Sequence, residues 1–380
     1  MMKKKIGVGV KKIGQRKLII YLPKNFREEC KFNFGDLVKL EVSKGNKKAI
    51  SISKFHYIIS LKKEIISSLN LIEGNIIQIT IIKIIPLKKP KKLFNKGKID
   101  LLFLMPDITR KGSEVFMEEI YKNTEPYLRI CSFHKRGSGA QTEIRRYIDI
   151  NLFGRFLGQL QAEGTKGFLD RLEFCNKSLK EHEEYLSFLN HLGIAKNKII
   201  TKLDYHEDIK NINQEIKKFE KFLKYKLNYV VPTSKSRGGF GFKIIVRNTL
   251  LTEFILGSMD RLRILLANKI WDSNLKLFAE GFFAKILDGD GSLEIITKNR
   301  NVPQARLTIS DGNLRYLEDY KLIMEKFSFA PKINTKWRYI RSYVNPTQAK
   351  NLYDINVFKE NANFKKLKFF LDARNKFTNK

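Results

Sequence analysis

The chain has 380 residues, of which 43% are hydrophobic, including 28 Phe and 14 Tyr. This composition can build the cores of two or three domains, so a disordered chain is excluded. Lys and Arg total 73 against 39 Asp and Glu, which gives a formal net charge of +34. The basic residues are spread along the chain, and a positive charge of this size makes a large polyanion the natural partner. The alternative is that part of this charge is only solvated surface, since Lys, Asn and Ile are all plentiful.

The cysteines and the apolar stretches indicate the compartment. Cys30, Cys131 and Cys175 lie too far apart for a metal knuckle, and an odd number argues against a disulfide framework. No apolar stretch approaches the roughly 18–20 residues of a membrane span, and the basic start of the chain leads into an alternating segment instead of an apolar signal core. We therefore predict a cytoplasmic protein without a membrane partner.

Residues 6–85 contain an internal repeat, which becomes visible when the chain is shifted by 39 positions (59 − 20). Each copy is predicted as a strand, a short helix, a Gly turn and a second strand. The strands are predicted at 18–22 and 37–42, then 57–61 and 76–82, and the helices at 24–30 and 62–69. The residues that repeat are Ile20, Leu22, Lys24, Gly35, Leu37 and Leu40, which fall on Ile59, Leu61, Lys63, Gly74, Ile76 and Ile79.

The first copy resembles a known DNA-binding unit. Its segments Ile-Tyr-Leu-Pro-Lys-Asn-Phe-Arg at 20–27 and Phe-Gly-Asp-Leu-Val at 34–38 are similar to the swapped-hairpin barrel of AbrB-like transition-state regulators. The second copy is weaker, with Lys62 where the proline would be. A half-barrel leaves an apolar face uncovered, so two copies in one chain could complete what that family usually completes by dimerisation; dimerisation of the chain through this region is the other possibility.

This resemblance implies a DNA-binding surface on the first domain, 1–85. The residues expected to face phosphate are Lys11, Lys12, Arg16 and Lys17. In a purely structural barrel the same side chains would only be solvated.

Residues 86–150 are predicted as a basic linker and a connector. The stretch 86–98 holds two prolines and a run of lysines with little periodicity, which marks a linker that could lie along a phosphate backbone. A hairpin is predicted between 128–133 and 144–150, with its turn at Arg-Gly-Ser-Gly-Ala, 136–140.

Two apolar helices with few charges follow, and each ends in an acid before a glycine. The first carries Leu-Gly-Gln-Leu-Gln-Ala-Glu-Gly at 157–164 and the second Ala-Lys-Ile-Leu-Asp-Gly-Asp-Gly at 284–291, so that Glu163 of the first corresponds to Asp290 of the second. Small residues in both helices let two backbones approach closely, and the glycine gives an exit into a strand. If the helices pack side by side, the two carboxylates emerge at one end, as divalent metal ions require.

These segments resemble the two signature helices of a monomeric LAGLIDADG homing endonuclease, over about residues 151–380. The resemblance implies an α+β fold with two pseudo-symmetric αββαββα halves, 151–270 and 271–380, which bind double-stranded DNA as a monomer and follow the small β-rich AbrB-like barrel. It also implies hydrolysis of phosphodiester bonds with Mg²⁺ or another divalent metal.

The same resemblance assigns roles to residues. Glu163 and Asp290 would be the catalytic acids and metal ligands, with backbone carbonyls near Gly164 and Gly291 as further ligands. The alternative carbonyls are those of Ala162 and Gly289. Lys269 is the candidate catalytic lysine of the first half, and Lys366 or Lys368 is the candidate of the second.

The elements predicted after each motif are unequal in the two halves. Only about 14 residues separate Gly164 from the next helix (178 − 164), against 22 between Gly291 and Asn313 (313 − 291), so the first hairpin is predicted to be short and the DNA target asymmetric. The first half is predicted as a strand at 169–175, a helix at 178–192, a strand at 199–205, an inserted polar helix at 208–226, a strand at 241–247 and a helix at 250–266. The second is predicted as strands at 292–298 and 304–310, a helix at 313–327, strands at 333–343 and 352–355, and a helix from 356.

The surface that contacts DNA is expected on the polar faces of these strands. Polar and apolar residues alternate along 304–310, and Arg and Gln suit guanine and adenine edges in the major groove. The second-half candidates are Lys298, Gln304, Arg306, Thr308, Ser310, Trp337, Arg338, Tyr339 and Arg341. The first-half candidates are Arg171, Lys235, Arg237, Lys243 and Arg247. The alternative for any one of them is a solvated residue on a β-sheet face.

A second function stays open, that of a domesticated relative that binds DNA and regulates transcription, or assists RNA folding, without cutting. The AbrB-like front end fits this reading, and Gln159 and Lys285 in the interface helices are polar enough to loosen the packing that aligns the acids. The presence of both Glu163 and Asp290 favours the endonuclease.

Overall fold

A computed structural model describes residues 4–13, 17–30, 37–54, 58–83, 88–133, 139–165, 167–233, 239–297, 302–358 and 362–378. It is a mixed α+β structure in which most strands pair antiparallel. The chain divides into two compact units, one of residues 1–89 with 106–143 and one of residues 90–105 with 144–380. The predicted connector, 86–150, is therefore shared between the units. None of the helices described is long and apolar enough to cross a membrane.

Strands dominate the chain before residue 150. In chain order the elements are β1 (Lys4–Ile13), β2 (Lys17–Tyr21), α1 (Lys24–Cys30), β3 (Leu37–Lys44), β4 (Lys47–Lys54), β5 (Ile58–Ser60), α2 (Lys63–Leu69), β6 (Ile76–Lys83), β7 (Phe94–Asn95), β8 (Lys98–Asp100), α3 (Leu101–Leu104), β9 (Glu114–Lys122), β10 (Glu125–Phe133), β11 (Gly139–Arg145) and β12 (Tyr147–Asp149).

The predicted repeat is present in the first unit. The helices α1 and α2 begin and end at positions related by the predicted shift (63 − 24 = 39), as do the strands β3 and β6 (76 − 37 = 39). These strands belong to one six-stranded sheet of order β4-β3-β6-β1-β2-β5. In it Ile20 lies opposite Ile59, and Glu41 lies opposite Thr80. Because equivalent residues of the two copies face each other in antiparallel pairs, a local two-fold axis relates the copies.

Both copies share one hydrophobic core, so each covers the apolar face of the other. Fully buried Ile20 and Leu40 of the first copy and Ile59 and Ile79 of the second belong to the same cluster of side chains. A second sheet, of order β11-β10-β9, completes the unit. The predicted turn of the β10–β11 hairpin lies largely outside the described residues.

Helices are longer in the second unit. After β12 the elements are α4 (Ile150–Glu163), β13 (Arg171–Asn176), α5 (Leu179–His191), a 3₁₀ turn (Lys196–Lys198), β14 (Ile199–Tyr205), α6 (Ile212–Leu223), β15 (Tyr229–Pro232), β16 (Phe240–Arg247), α7 (Thr249–Asn268), α8 (Ser273–Asp290), β17 (Gly291–Ile296), β18 (Gln304–Ser310), α9 (Leu314–Lys326), β19 (Lys332–Asn334), β20 (Tyr339–Val344), α10 (Pro346–Asp354) and α11 (Ala362–Thr378).

Two four-stranded sheets follow the helices α4 and α8, with orders β13-β16-β14-β15 and β17-β18-β20-β19. In the second sheet β17 and β18 form a full hairpin whose first pair is Gly291 and Ile309. In the first, the described residues at this place form the isolated bridge between Gly164 and Phe174. Among the described residues the short first hairpin that the sequence predicts is thus reduced to one pair. The helix α6 lies between β14 and β16, and the parallel edge strand β15 was not predicted.

One predicted strand is wrong. Residues 352–355 end a helix, because α10 runs from Pro346 to Asp354. The side chain of Asn345 caps the helix by accepting from the N–H of Gln348, and the side chain of Gln348 accepts from the N–H of Asn345. Pro346 is the first residue of the helix. These are helix-start signals, which the apolar residues further on obscured. The predicted strand 333–343 is also divided, into β19 and β20, by a turn in which Arg338 has a positive φ of 49°.

Candidate functional site

The two motif helices, α4 and α8, pack with their backbones in contact. A Cβ added to Gly158 would lie 2.3 Å from the carbonyl oxygen of Phe282, and one added to Gly281 would lie 2.4 Å from that of Asn151. Near the other end a Cβ on Gly289 would lie 2.5 Å from the Cβ of Ala162. Only glycine allows this approach, so the helices run side by side along most of their length.

Each helix is preceded by a capping aspartate and ends at the predicted acid. The side chains of Asp149 and Asp272 accept from the N–H groups of Leu152 and Leu275 and so fix the first turns. Glu163 is the last residue of α4 and Asp290 the last of α8. The chain leaves both through an extended glycine rather than a left-handed one.

The end of α4 lies against the end of α8. The Glu163 carboxylate, through Oε1, is 3.3 Å from the place of a Cβ on Gly289, the residue before Asp290. The structure therefore brings the two predicted acids to the same end of the helix pair.

Glu163 lies on a cavity of about 200 Å³. Burial, together with the nearby charge of Glu181, raises the pKa of the Glu163 carboxyl above its ordinary value. Among the described side chains none forms an ion pair with Glu163. A cation at this carboxylate would offset both causes of the shift. The cavity is lined by Gln159, Glu163, Asn176, Ser178, Glu181, Lys285, Asp288 and Gly289.

Lys285, a charged residue in the second half of α8, is only 2% exposed. Its Nζ lies 2.8 Å from Glu181, 2.6 Å from Glu184 and 3.4 Å from Asp288. Burial lowers the pKa of the lysine, but these carboxylates outweigh it, so the net shift is upward. Gln159 donates to Glu181 at 2.7 Å. The sequence suggested that Gln159 and Lys285 loosen the interface; instead both are held in buried contacts.

A second buried cation, Arg263 of α7, was not singled out from the sequence. Its guanidinium is 2.8 Å from Asp319 and 2.8 Å from Asp260, and it donates to Oε1 of Gln161 at 3.2 Å. It also lies 4.0 Å from the ring centroid of Tyr316. An arginine three residues after Asp260 in an apolar helix is the local sequence signal, because its other partners, Gln161, Asp319 and Tyr316, are distant in the chain.

The predicted catalytic lysine, Lys269, lies far from the acids. It caps the C-terminus of α7 and is exposed, and its carbonyl oxygen accepts from Nζ of Lys326. The helix α8 begins four residues later and has 18 residues, a length of about 27 Å at 1.5 Å per residue. Asp290 is at its far end. The structure therefore does not bring Lys269 together with the acids.

Of the other two lysines, Lys366 is linked by hydrogen bonds to the residue that follows the second acid. Its Nζ donates to Oδ1 of Asn363 at 3.1 Å, and Nδ2 of Asn363 donates to the carbonyl oxygen of Gly291 at 3.4 Å. Gly291 directly follows Asp290. Lys366 is thus the described lysine that hydrogen bonds connect to the exit of α8, while Lys368 lies in a groove between α10 and α11.

The polar face predicted for β18 is present. Ala305, Leu307 and Ile309 are buried, while the alternate residues are at least partly exposed. Arg341 of β20 pairs with Thr308 and donates to its hydroxyl at 3.3 Å, and Arg306 forms an ion pair with Glu294. Trp337, in the turn before β20, is 68% exposed. The other predicted residues of this face are Gln304, Ser310 and Tyr339, and Arg338 donates to the carbonyl oxygen of Gly312.

The predicted residues of the first sheet also share one face. Arg171 pairs with Arg247 across β13 and β16, and Lys243 lies four residues before Arg247 in the same strand, hence on the same side. Acids neutralise part of this charge, since Lys243 is 3.1 Å from Glu173 and 2.9 Å from Asp204.

The remaining predicted DNA-contacting residues are described to different extents. Lys11 and Lys12 are exposed on β1, and Nζ of Lys11 lies 5.4 Å from the ring centroid of Tyr21. Lys17 is described only through the backbone of β2. Arg16, Lys235, Arg237 and Lys298 lie outside the described residues.

A metal site built from protein side chains alone is not found. In the described part of the chain, no cluster of three or more His, Cys, Asp or Glu side chains could hold a metal ion. Glu163 and Asp290 would therefore share any bound metal with ligands other than such side chains, such as water, phosphate or the predicted backbone carbonyls near Gly164 and Gly291.

Comparison of the chain with protein families and with curated proteins finds no match. Among solved structures, two that match are of the meganuclease I-SmaMI. A lysine-to-alanine mutant is 12% identical, with a TM-score of 0.31, covering 54% of this chain and 85% of that one. A crystal structure of I-SmaMI bound to uncleavable DNA is 14% identical, with a TM-score of 0.30, covering 58% and 87%. TM-scores this low do not establish a shared fold.

Proposed function

We propose that the second unit is a site-specific double-stranded DNA endonuclease of the LAGLIDADG type, with pseudo-symmetric halves at 151–270 and 271–380. The observation that carries the proposal is the helix pair. Glycine contacts bring α4 and α8 together, and the carboxylate of Glu163 lies against the turn that ends in Asp290. Two acids at one end of a helix pair, beside two sheets with polar faces, can act on both strands of a duplex held along those faces.

The acids fit Mg²⁺ as the metal. Mg²⁺ usually binds through one or two carboxylates together with water and substrate phosphates, so two protein acids are sufficient. Glu163 is a half-buried carboxylate whose pKa is raised by burial and by Glu181, and a bound cation would favour its charged form. When bound, the metal would polarise the scissile phosphate and lower the pKa of an attacking water.

The remaining roles belong to this chain's own residues. Glu163 and Asp290 would hold the metal next to the scissile phosphates, while Gly164 and Gly291 turn the chain away and leave the acids accessible. Lys366 is the cation best placed to offset phosphate charge next to Asp290. Arg306, Arg341 and Trp337 on one sheet, and Arg171 and Arg247 on the other, contact the duplex on either side.

A non-cutting DNA-binding regulator is the second candidate, and the two-fold arrangement of the first unit favours it. We propose that this unit is an AbrB-like barrel that its two copies complete within one chain. Lys11 and Lys12 are exposed on it and would face phosphate. Such a unit binds DNA whether or not the second unit cuts.

Substitution of the two acids separates the candidates. A plasmid library of randomised targets is incubated with Mg²⁺ and with wild type, Glu163→Gln, Asp290→Asn or the double variant. If the chain is an endonuclease, wild type linearises a subset of plasmids, each single variant only nicks them, and the double variant does neither while its DNA affinity stays within about twofold. Glu183→Gln, an exposed change on α5, serves as the matched control and should cut like wild type.

If wild type binds a defined site without cutting it, and the double variant binds that site equally well, the regulator is correct and the endonuclease is not.

A further inference from the structure

Two buried cations join the halves of the second unit in the same manner. Lys285 of α8 and Arg263 of α7 are each 2% exposed. Lys285 comes from the second half and meets α5 of the first, while Arg263 comes from the first half and meets α9 of the second. The contacts therefore cross between the halves in both directions.

The two cations contact matching positions on α5 and α9. The cap of α5 is Ser178, and the acids that hold Lys285 are the third and sixth residues after it, Glu181 and Glu184. The cap of α9 is Asn313, and Arg263 meets the third and sixth residues after that cap. Residues three apart lie on one face of a helix, so each helix presents two side chains that together receive one cation.

The side chains at these positions differ between the two helices. Around Lys285 both are carboxylates, whereas Arg263 has the ring of Tyr316 at 4.0 Å and the carboxylate of Asp319 at 2.8 Å. A planar guanidinium can stack on an aromatic ring and bond a carboxylate at the same time, which suits it to this pair.

Each cation also contacts the last turn of a motif helix. Arg263 donates to Gln161, two residues before Glu163, and Lys285 lies 3.4 Å from Asp288, two residues before Asp290. Gln161 and Asp288 are therefore equivalent positions of the two motifs, as the two acids are. The cations thus connect the turn that carries each acid to the opposite half.

We propose that Arg263 and Lys285 are positioning residues that fix the alignment of the two halves and thereby the placement of Glu163 relative to Asp290. The glycine contacts set how closely α4 and α8 approach each other, and the two buried cations add contacts to α5 and α9 on either side of that pair. A buried charge tolerates only the alignment that pairs it, because any other leaves it desolvated without a partner. The role of this alignment in cutting rests on the proposed function, but the alignment itself does not.

Paired apolar substitutions in the full-length protein separate positioning from stability. Arg263→Met alone leaves the largely buried Asp319 without its cation and is expected to lower the melting temperature. Arg263→Met with Asp319→Leu removes both charges and is expected to recover most of that loss, since apolar residues of similar volume often replace a buried ion pair at little cost. Lys350→Met with Asp354→Leu, an exposed pair on α10, serves as the control.

Hydrogen exchange of the backbone amides gives a readout that does not depend on activity. If Arg263 positions the halves, the amides at 160–163 exchange at least about tenfold faster in the recovered double variant than in wild type. They stay at the wild-type rate in the control. If the recovered double variant protects these amides as wild type does, Arg263 is only structural and the proposal is overturned.

Cutting gives a second readout wherever wild type is active. The double variant is then expected to convert supercoiled plasmid into nicked circles that accumulate before linear product, with its DNA affinity unchanged. Concerted linearisation at the wild-type rate would contradict the proposal. If wild type does not cut at all, the endonuclease function fails, whereas the exchange experiment still decides the positioning role.

Discussion

His182 shows how burial sets the behaviour of a single side chain. The residue is fully buried, its Nε2 is 2.9 Å from the carbonyl oxygen of Asn176, and the rings of Phe174, Phe219 and Phe242 surround it edge-on. Burial lowers the pKa of its imidazole from 6.5 to about 4. The folded protein therefore keeps a neutral histidine through a pH range in which the unfolded chain takes up a proton.

This difference predicts an acid-sensitive contribution to stability. The contribution is complete above the unfolded pKa of 6.5 and is lost as the pH falls towards about 4. Over that interval wild type should lose about 3 kcal/mol of unfolding free energy through this group. His182→Gln, which retains a donor for the Asn176 carbonyl, should lose that much less between neutral pH and about pH 4, as measured by urea unfolding. The exposed His191→Gln is the control, and parallel curves for wild type and His182→Gln would contradict the assignment.

At this scale the sequence predicted residues with a strong local pattern and missed those defined by distant partners. Glu163 and Asp290 could be found because each ends an apolar helix before a glycine. Lys269 was placed by its position in the chain, and a helix of 18 residues separates it from Asp290. Arg263 has one local partner, Asp260, but no local pattern indicates its partners at 161 and 319.

The contact between α4 and α8 can be tested at the scale of the element. Gly158→Ala would place a methyl carbon 2.3 Å from a backbone oxygen that cannot move without shifting the whole helix. We expect the variant to lose about 1–3 kcal/mol of unfolding free energy, measured in guanidinium chloride.

A second glycine provides the matched control for that experiment. Gly257 lies inside α7, where an added Cβ meets nothing within 4 Å. Gly257→Ala should raise the unfolding free energy by about 0.5–1 kcal/mol, because alanine favours a helix over glycine. Equal effects of the two substitutions would contradict backbone contact between α4 and α8.

Helices and strands with a clear periodicity could be predicted, whereas segments without such a periodicity could not. The strand β18 alternates strictly and was placed at the correct bounds, 304–310, whereas α10 was mistaken for a strand. In that segment Leu352, Tyr353 and Ile355 suggested extended chain, and the cap formed by Asn345 and Gln348 decides the structure. Propensity is a weak guide where a cap fixes the first turn.

The net charge of the whole molecule has a measurable consequence for binding. A chain with a net charge of +34 should displace many counterions from DNA. If six to ten phosphates are contacted, the affinity for duplex DNA should fall by about 10³–10⁵ between about 50 and 200 mM salt. Fluorescence anisotropy with a labelled duplex measures this slope. An affinity independent of salt would show that the basic residues are merely solvated.

The duplication in the first unit could be predicted because it repeats within one chain. Sliding the sequence along itself until the two copies coincide predicted both helices and the paired strands, since equivalent residues fold alike. The way in which the copies interlock was not readable, because it depends on which strands pair, and strand pairing is a long-range property.

Joining the two copies in one chain has a consequence at the local two-fold axis. In a symmetric pair of identical chains, a residue on the axis must face its own copy. Here Glu41 faces Thr80, and its carboxylate is free to bond Lys48 at 3.3 Å. Two glutamates directly opposite each other would repel. A tandem repeat in one chain therefore permits an acidic residue at a place that a homodimer would have to keep neutral, and it lets the two copies change independently.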